Sequence, residues 1–141
     1  MIPLYILPGY DAVRFQWSYI PFFIKIIGFI GVALSLILMF LVTKENSFLA
    51  RTVKIQEDKG HQVITTGPYR FVRHPLYTGM IIYIICHSLA LGSLYSLIPG
   101  FIINIGFIFR TKFEDKLLHE KLEGYMEYAQ KTRYKLIPRI W

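Results

Sequence analysis

Two long runs without a charged side chain dominate the chain. Ile26–Val42 holds 17 such residues, and Leu76–Phe109 holds 34 without Asp, Glu, Lys or Arg. The first run extends naturally to Ile20–Val42, with Lys25 near one end where an amine can reach the interface. That stretch is long enough to predict a membrane-crossing helix. Trp17 and Tyr19 just ahead of it suit an interfacial aromatic belt. The second run is too long for one crossing, since a single helix would reach about 51 Å against a hydrocarbon layer of roughly 30 Å. It must turn back. Gly92-Ser93 and Pro99-Gly100 are the turn-forming pairs inside it. The pattern therefore predicts spans at about Leu76–Leu91 and Leu94–Phe109 joined by a tight hairpin, each short enough to require tilting or local bilayer thinning. Beyond them, Phe113, Leu117, Leu118 and Leu122 carry a helical apolar stripe through Arg110–Leu122, which Gly124 is expected to interrupt. The fold class expected is an all-α integral membrane protein, one domain over residues 1–141.

Composition agrees. More than half of the residues are apolar and the mean hydropathy is +0.42. A soluble domain of this length would have to hide 21 Phe and Tyr side chains as well as both runs. The formal charge of +7 adds direction. Of 16 Lys and Arg residues, six lie in Lys44–Arg73 and eight in Arg110–Arg139. A basic balance can signal nucleic acid or a membrane surface. Here the cations flank apolar spans, so orientation and anionic headgroups explain them, and no nucleic-acid partner is expected. Three spans put the termini on opposite sides. The positive-inside rule then makes the loop Lys44–Arg73 and the tail Arg110–Trp141 cytoplasmic, which gathers the polar segments on one face. Cys86 is the only cysteine, which rules out an intrachain disulfide or a cysteine metal cluster. Met1–Tyr10 has no basic n-region, so the first span is expected to be retained rather than cleaved.

Three polar segments carry candidate chemistry. Gly67-Pro68-Tyr69-Arg70-Phe71-Val72-Arg73-His74-Pro75-Leu76-Tyr77-Thr78-Gly79 leads into the second span. Arg110-x-x-x-Glu114-Asp115 follows the third, and Tyr125-x-x-Tyr128 with Leu136-Ile137-Pro138 closes the chain. Pro75 suits the first turn of a helix, whose unpaired N–H groups can receive an anion. Arg110 and Glu114 stand four apart on one helical face, where they either form a surface ion pair or serve a site. His61 and His74 lack cysteine partners or a dense ligand cluster, and no metal is expected. His87 and Asn104 fall within the spans, where a polar group is a functional candidate, and interhelical hydrogen bonding is the expected explanation for both.

In this ordered set the chain resembles the isoprenylcysteine carboxyl methyltransferase family, which is related to the phospholipid N-methyltransferases. The resemblance covers about Gln56–Pro138. It departs from the family pattern at Asp115, where a second Glu is usual, and at Gly124, which directly precedes Tyr125. It implies S-adenosylmethionine as cofactor and a lipid or prenylated acceptor. Carried over by motif, the cofactor contacts would be Gln56, His61, Gln62, Val63, Ile64, Tyr69, His74, Pro75, Leu76, Tyr77 and Glu114. Arg110 would face the acceptor and, with Glu114, form the catalytic pair.

Methyl transfer from a sulfonium is an in-line displacement, so the protein must chiefly align the partners and exclude water. A carboxylate acceptor needs no base, and Arg110 could grip it bidentately. An amine acceptor would need one, for which Glu114, Asp115 or His74 are the candidates. Carboxyl methylation is therefore the leading expectation and phospholipid N-methylation the alternative. A sterol-reductase-like enzyme using a nicotinamide cofactor and a non-enzymatic membrane scaffold remain as more distant readings.

Overall fold

The computed structural model describes residues 2–46 and 63–141. Gln56, His61 and Gln62 of the expected cofactor set lie outside the described residues. Five α-helices occur among those described: α1 (Ile2–Pro8), α2 (Phe22–Glu45), α3 (Pro75–Ala90), α4 (Leu97–Lys121) and α5 (Tyr125–Lys131). A π-helical segment, Gly9–Phe15, follows α1, and a 3-10 turn, Gly67–Arg70, precedes α3. No strand is present among the described residues, as the pattern predicts.

The helix α2 has a mean hydropathy of 2.7 over its most apolar window, only 17% of which is buried. Phe22, Phe29, Leu34 and Phe40 stand exposed along it. Water would not tolerate such a surface, and a bilayer would, so α2 is a membrane element. Among the described helices it alone has both the length and the hydropathy for a crossing; α3 is apolar but has 16 residues.

The chain forms two compact units. One comprises Met1–Ile37 and Gly79–Phe107. Within it, glycine brings α2 against α3: a Cβ at Gly28 would lie 2.5 Å from the Ala90 nitrogen, and one at Gly31 would collide with the Cys86 side chain. Small residues at such crossings permit the close backbone approach that packs helices in lipid. The hairpin turn falls at Gly92-Ser93, as expected. Gly92 takes φ +77°. Its N–H bonds the Leu89 carbonyl while that of Ser93 bonds the Ser88 carbonyl, which ends α3 in a Schellman motif. Pro99-Gly100 does not mark the turn. Both lie in the first turn of α4, where proline's missing N–H costs nothing. The N-terminal segment is pinned to this turn by buried Asp11, which accepts hydrogen bonds from Ser18 Oγ at 2.7 Å and Ser93 Oγ at 2.6 Å.

The other unit comprises Leu38–Thr78 and Ile108–Trp141. Its core joins Val42 of α2 to Tyr69, Tyr125 and Tyr128, with Val63, Ile64, Leu76, Leu118 and Leu122 packed around them. The stripe predicted beyond Phe109 is helical, since α4 continues without a break to Lys121. Gly124, at φ +78°, then separates it from α5. The C-terminal segment is tied to the start of α3. The Arg73 N–H bonds the Tyr134 carbonyl at 2.9 Å and the His74 N–H bonds the Lys135 carbonyl at 2.9 Å. Thr78 Oγ1 donates to the Leu136 carbonyl at 2.7 Å. The amides of Arg73 and His74, just ahead of α3, are thus taken up by the C-terminal segment.

Candidate functional site

Every described residue of the expected site lies in this second unit. The residue before Pro75 is disfavoured from helix, so α3 starts abruptly there and His74 sits at its mouth. Tyr77 follows within the first turn. On α4, Arg110 and Glu114 are one turn apart and meet Tyr77 together. Arg110 Nε donates to the Tyr77 hydroxyl at 2.7 Å, and that hydroxyl donates to Glu114 Oε2 at 2.6 Å. The Arg110 guanidinium also lies over the Tyr77 ring, 5.8 Å from its centroid. A phenol between a guanidinium and a carboxylate holds both side chains in register.

His74 links this chain to a second centre. Its Nδ1 lies 3.7 Å from Glu114 Oε1, too far for a hydrogen bond but close enough for charge attraction. Its Nε2 is 3.2 Å from Asp115 Oδ1. Burial alone would push the imidazole down. The Asp115 hydrogen bond and the two carboxylate charges outweigh it and raise His74 above its ordinary value.

Asp115 is the hub. Its carboxylate receives Arg73 Nε at 2.8 Å and Arg73 Nη2 at 3.2 Å, a bidentate grip. The Tyr125 hydroxyl donates to Oδ1 at 2.9 Å, and Lys135 Nζ lies 3.2 Å from Oδ2. Arg73 Nη1 also donates to the carbonyls of Thr132 at 3.0 Å and Arg133 at 3.1 Å. Burial would raise the Asp115 carboxyl, but hydrogen bonds from His74 and Arg73 and their positive charge hold it far below the usual carboxylate range. In Glu114 burial is likewise outweighed, by the neighbouring His74, the Tyr77 hydrogen bond and the charge of Arg110, and the carboxyl is lowered. At neutral pH both are carboxylates. Asp115 is closed in by its partners, whereas the Glu114 side chain keeps 26% of its surface open. Of the two, Glu114 can meet a ligand.

Tyr69 belongs to the aromatic core beside this centre. Its hydroxyl accepts from Asn46 Nδ2 at 2.8 Å, and its carbonyl accepts the Tyr128 hydroxyl at 2.7 Å. Val63, Ile64 and Leu76 pack on the same cluster. Val63, Gly124 and Tyr128 also line a largely polar cavity of about 410 Å³. The expected residues therefore divide into a polar chain (Arg110, Tyr77, Glu114, His74) and an apolar-aromatic wall (Val63, Ile64, Tyr69, Leu76). Pro75 lines a different cavity.

Sequence reasoning missed Arg73 and Asp115 as a pair. Asp115 drew notice as a departure from a pattern and as one of three candidate bases, but its role depends on a partner 42 residues away. Arg73 could have been suspected, being a cation directly before a histidine and a helix-opening proline. The Tyr125-x-x-Tyr128 spacing was visible. What it does, one hydroxyl to Asp115 and the other to the Tyr69 carbonyl, was not.

An exposed apolar helix, a proline-opened helix and a paired-carboxylate centre define a helical membrane protein with a polar site at the ends of its apolar segments. A sequence profile of the isoprenylcysteine carboxyl methyltransferase family matches residues 26–120, and the chain belongs to that family. It is 29% identical over 94 residues to protein-S-isoprenylcysteine O-methyltransferase B of Arabidopsis thaliana, covering 65% of this chain and 47% of that protein. It is 28% identical over 114 residues to a probable protein-S-isoprenylcysteine O-methyltransferase of Oryza sativa subsp. indica, covering 78% of this chain and 59% of the relative. The chain thus spans about half the length of the curated relatives it matches.

Proposed function

We propose that this protein is an S-adenosylmethionine-dependent methyltransferase that esterifies the carboxylate of a prenylated cysteine or a related lipid at the cytoplasmic membrane surface. The reading takes the spans as three, with the loop after α2 and the tail after the third span both cytoplasmic. The observation that carries it is the Arg110–Tyr77–Glu114 chain, in which one phenol fixes a guanidinium and an ionised, partly open carboxylate.

The residues suit the cofactor by chemistry. Glu114 can accept hydrogen bonds from an ammonium or a ribose diol, and Val63, Ile64 and Tyr69 offer an apolar wall for a purine. When bound, the cofactor supplies an electrophilic methyl group on a sulfonium. The protein's task is alignment. Arg110, held through its Nε by Tyr77, orients its guanidinium toward an acceptor carboxylate, which is already a nucleophile. His74 keeps Glu114 ionised, and burial of the centre limits water.

Calorimetric titration of the detergent-purified protein with S-adenosylmethionine, and separately with NADPH, tests the reading. Binding of the former alone is expected, and weakened by roughly 1.5–3 kcal/mol in Glu114→Ala, as for a hydrogen bond to a charged group. Binding of NADPH with no response to S-adenosylmethionine would replace it with the reductase reading.

A further inference from the structure

We propose that the cavity beside the last turns of α2 binds an anionic phospholipid that is not itself methylated. The cavity measures about 660 Å³ and is walled by Leu38, Leu41, Phe71 and Leu136, with Lys44 and Arg70 also in its lining. Glu45 lines it too, but its carboxylate accepts a hydrogen bond from Thr66 Oγ1. Among the described residues no carboxylate pairs with either Lys44 or Arg70. The inference rests on α2 as a membrane element, and only the acceptor arm of its test uses the methyl-transfer reading.

An acyl chain gains little by leaving the bilayer for an apolar protein groove, because lipid tails are as apolar as leucine. Selectivity must come from the headgroup. The cavity lies where α2 passes from its charge-free run to Lys44, and a cation that ends an apolar run is placed to meet lipid phosphates. Two cations in one lining attract a phosphate of net negative charge. A zwitterionic choline lipid would bring its own cation to the same pair and lose most of that gain. Glu45, the one acid in the lining, would attract a headgroup amine, so a glycerol headgroup, which carries none, discriminates most cleanly.

Pro75 of the candidate cofactor set touches the same wall, and the acceptor is itself a competing occupant. The test separates them. Protein in phosphatidylcholine nanodiscs is titrated with phosphatidylglycerol, and bound lipid is counted by native mass spectrometry. Phosphatidylglycerol should be retained over phosphatidylcholine, with each cation worth roughly fivefold. Lys44→Gln with Arg70→Gln should abolish the preference, Lys44→Arg with Arg70→Lys should keep it, and neither should change the apparent KM for a prenylated cysteine. Equal retention of the two lipids, a preference that survives the double Gln variant, or displacement of the lipid by inorganic phosphate would each overturn the proposal. So would a raised acceptor KM in the Gln variant with the lipid preference intact, which would assign the cavity to the acceptor.

Discussion

Replacing Asp115 with alanine should be among the most damaging single changes in the second unit. The carboxylate is 4% exposed and its principal partner, Arg73, is 8% exposed. Removing it leaves a buried guanidinium with backbone carbonyls alone, those of Ala129, Thr132 and Arg133, and strips the Tyr125 hydroxyl of its acceptor. Breaking a buried pair from one side costs about 3–5 kcal/mol. At this chain length that corresponds to a fall in thermal midpoint of about 10 °C or more. The cost arises from the stranded charge and not from a large favourable pair energy. Replacing both partners, Asp115→Leu with Arg73→Met, should therefore recover at least half of the loss. Thermal unfolding in one detergent, followed by far-ultraviolet circular dichroism, gives the comparison. A midpoint for Asp115→Ala within about 2 °C of the parent would refute the hub, as would a double variant no better than the sum of the singles.

Arg110→Ala should leave S-adenosylmethionine affinity nearly intact and lower turnover on the order of tenfold to a hundredfold, the loss of a charge-assisted contact. Arg110→Lys should rescue only in part because an ammonium cannot make the planar grip; turnover of the Lys variant within about twofold of the parent would reduce Arg110 to a helix-surface cation. Stability should also depend on pH in two limbs. His74 is raised in the fold, so its contribution is complete below 6.5 and is lost as pH climbs through the higher folded value, whereas Asp115 is lowered, so its contribution holds above 3.8 and is lost in acid. His74→Gln should flatten the alkaline limb in a melting profile against pH, and an unchanged limb would assign it to another group. In the first unit, Gly28→Ala should destabilise by about 1–3 kcal/mol as overpacking against the Ala90 backbone, while Gly106→Ala, with nothing within 4 Å of the added carbon, should be neutral or slightly stabilising. Equal melting points for these two variants would remove the close α2–α3 contact.

Much of the helical layout was legible because lipid imposes a coarse rule: long charge-free runs become helices, and a run too long for one crossing must turn. Gly92 could be read as the turn because only a left-handed residue closes that helix end. Pro99-Gly100 misled, since proline is as much at home in a first helical turn as in a loop, and the sequence does not say where the helix begins. The N-terminal segment gave no periodic signal. Its anchor, Asp11 to Ser93, spans 82 residues and involves residue types common on any surface. At the site, the motif placed His74, Tyr77, Arg110 and Glu114 near one another. The phenol bridge could not be foreseen, since Arg110 and Glu114 invite reading as an (i, i+4) pair and Tyr77 as an interfacial aromatic. Buried charge networks are set by tertiary approach, which leaves no local pattern to read.

Carboxyl methylation of a lipid-like acceptor stands or falls on the chemistry of the transferred methyl group. Purified protein in lipid nanodiscs is given S-adenosylmethionine carrying a labelled methyl group, with a prenylated cysteine bearing a free carboxylate, its preformed methyl ester, or phosphatidylethanolamine as acceptor. Label is expected on the free carboxylate alone, released as methanol by mild base as an ester must be, and lost in Glu114→Ala. Base-stable label on phosphatidylethanolamine would contradict it and make the protein an N-methyltransferase.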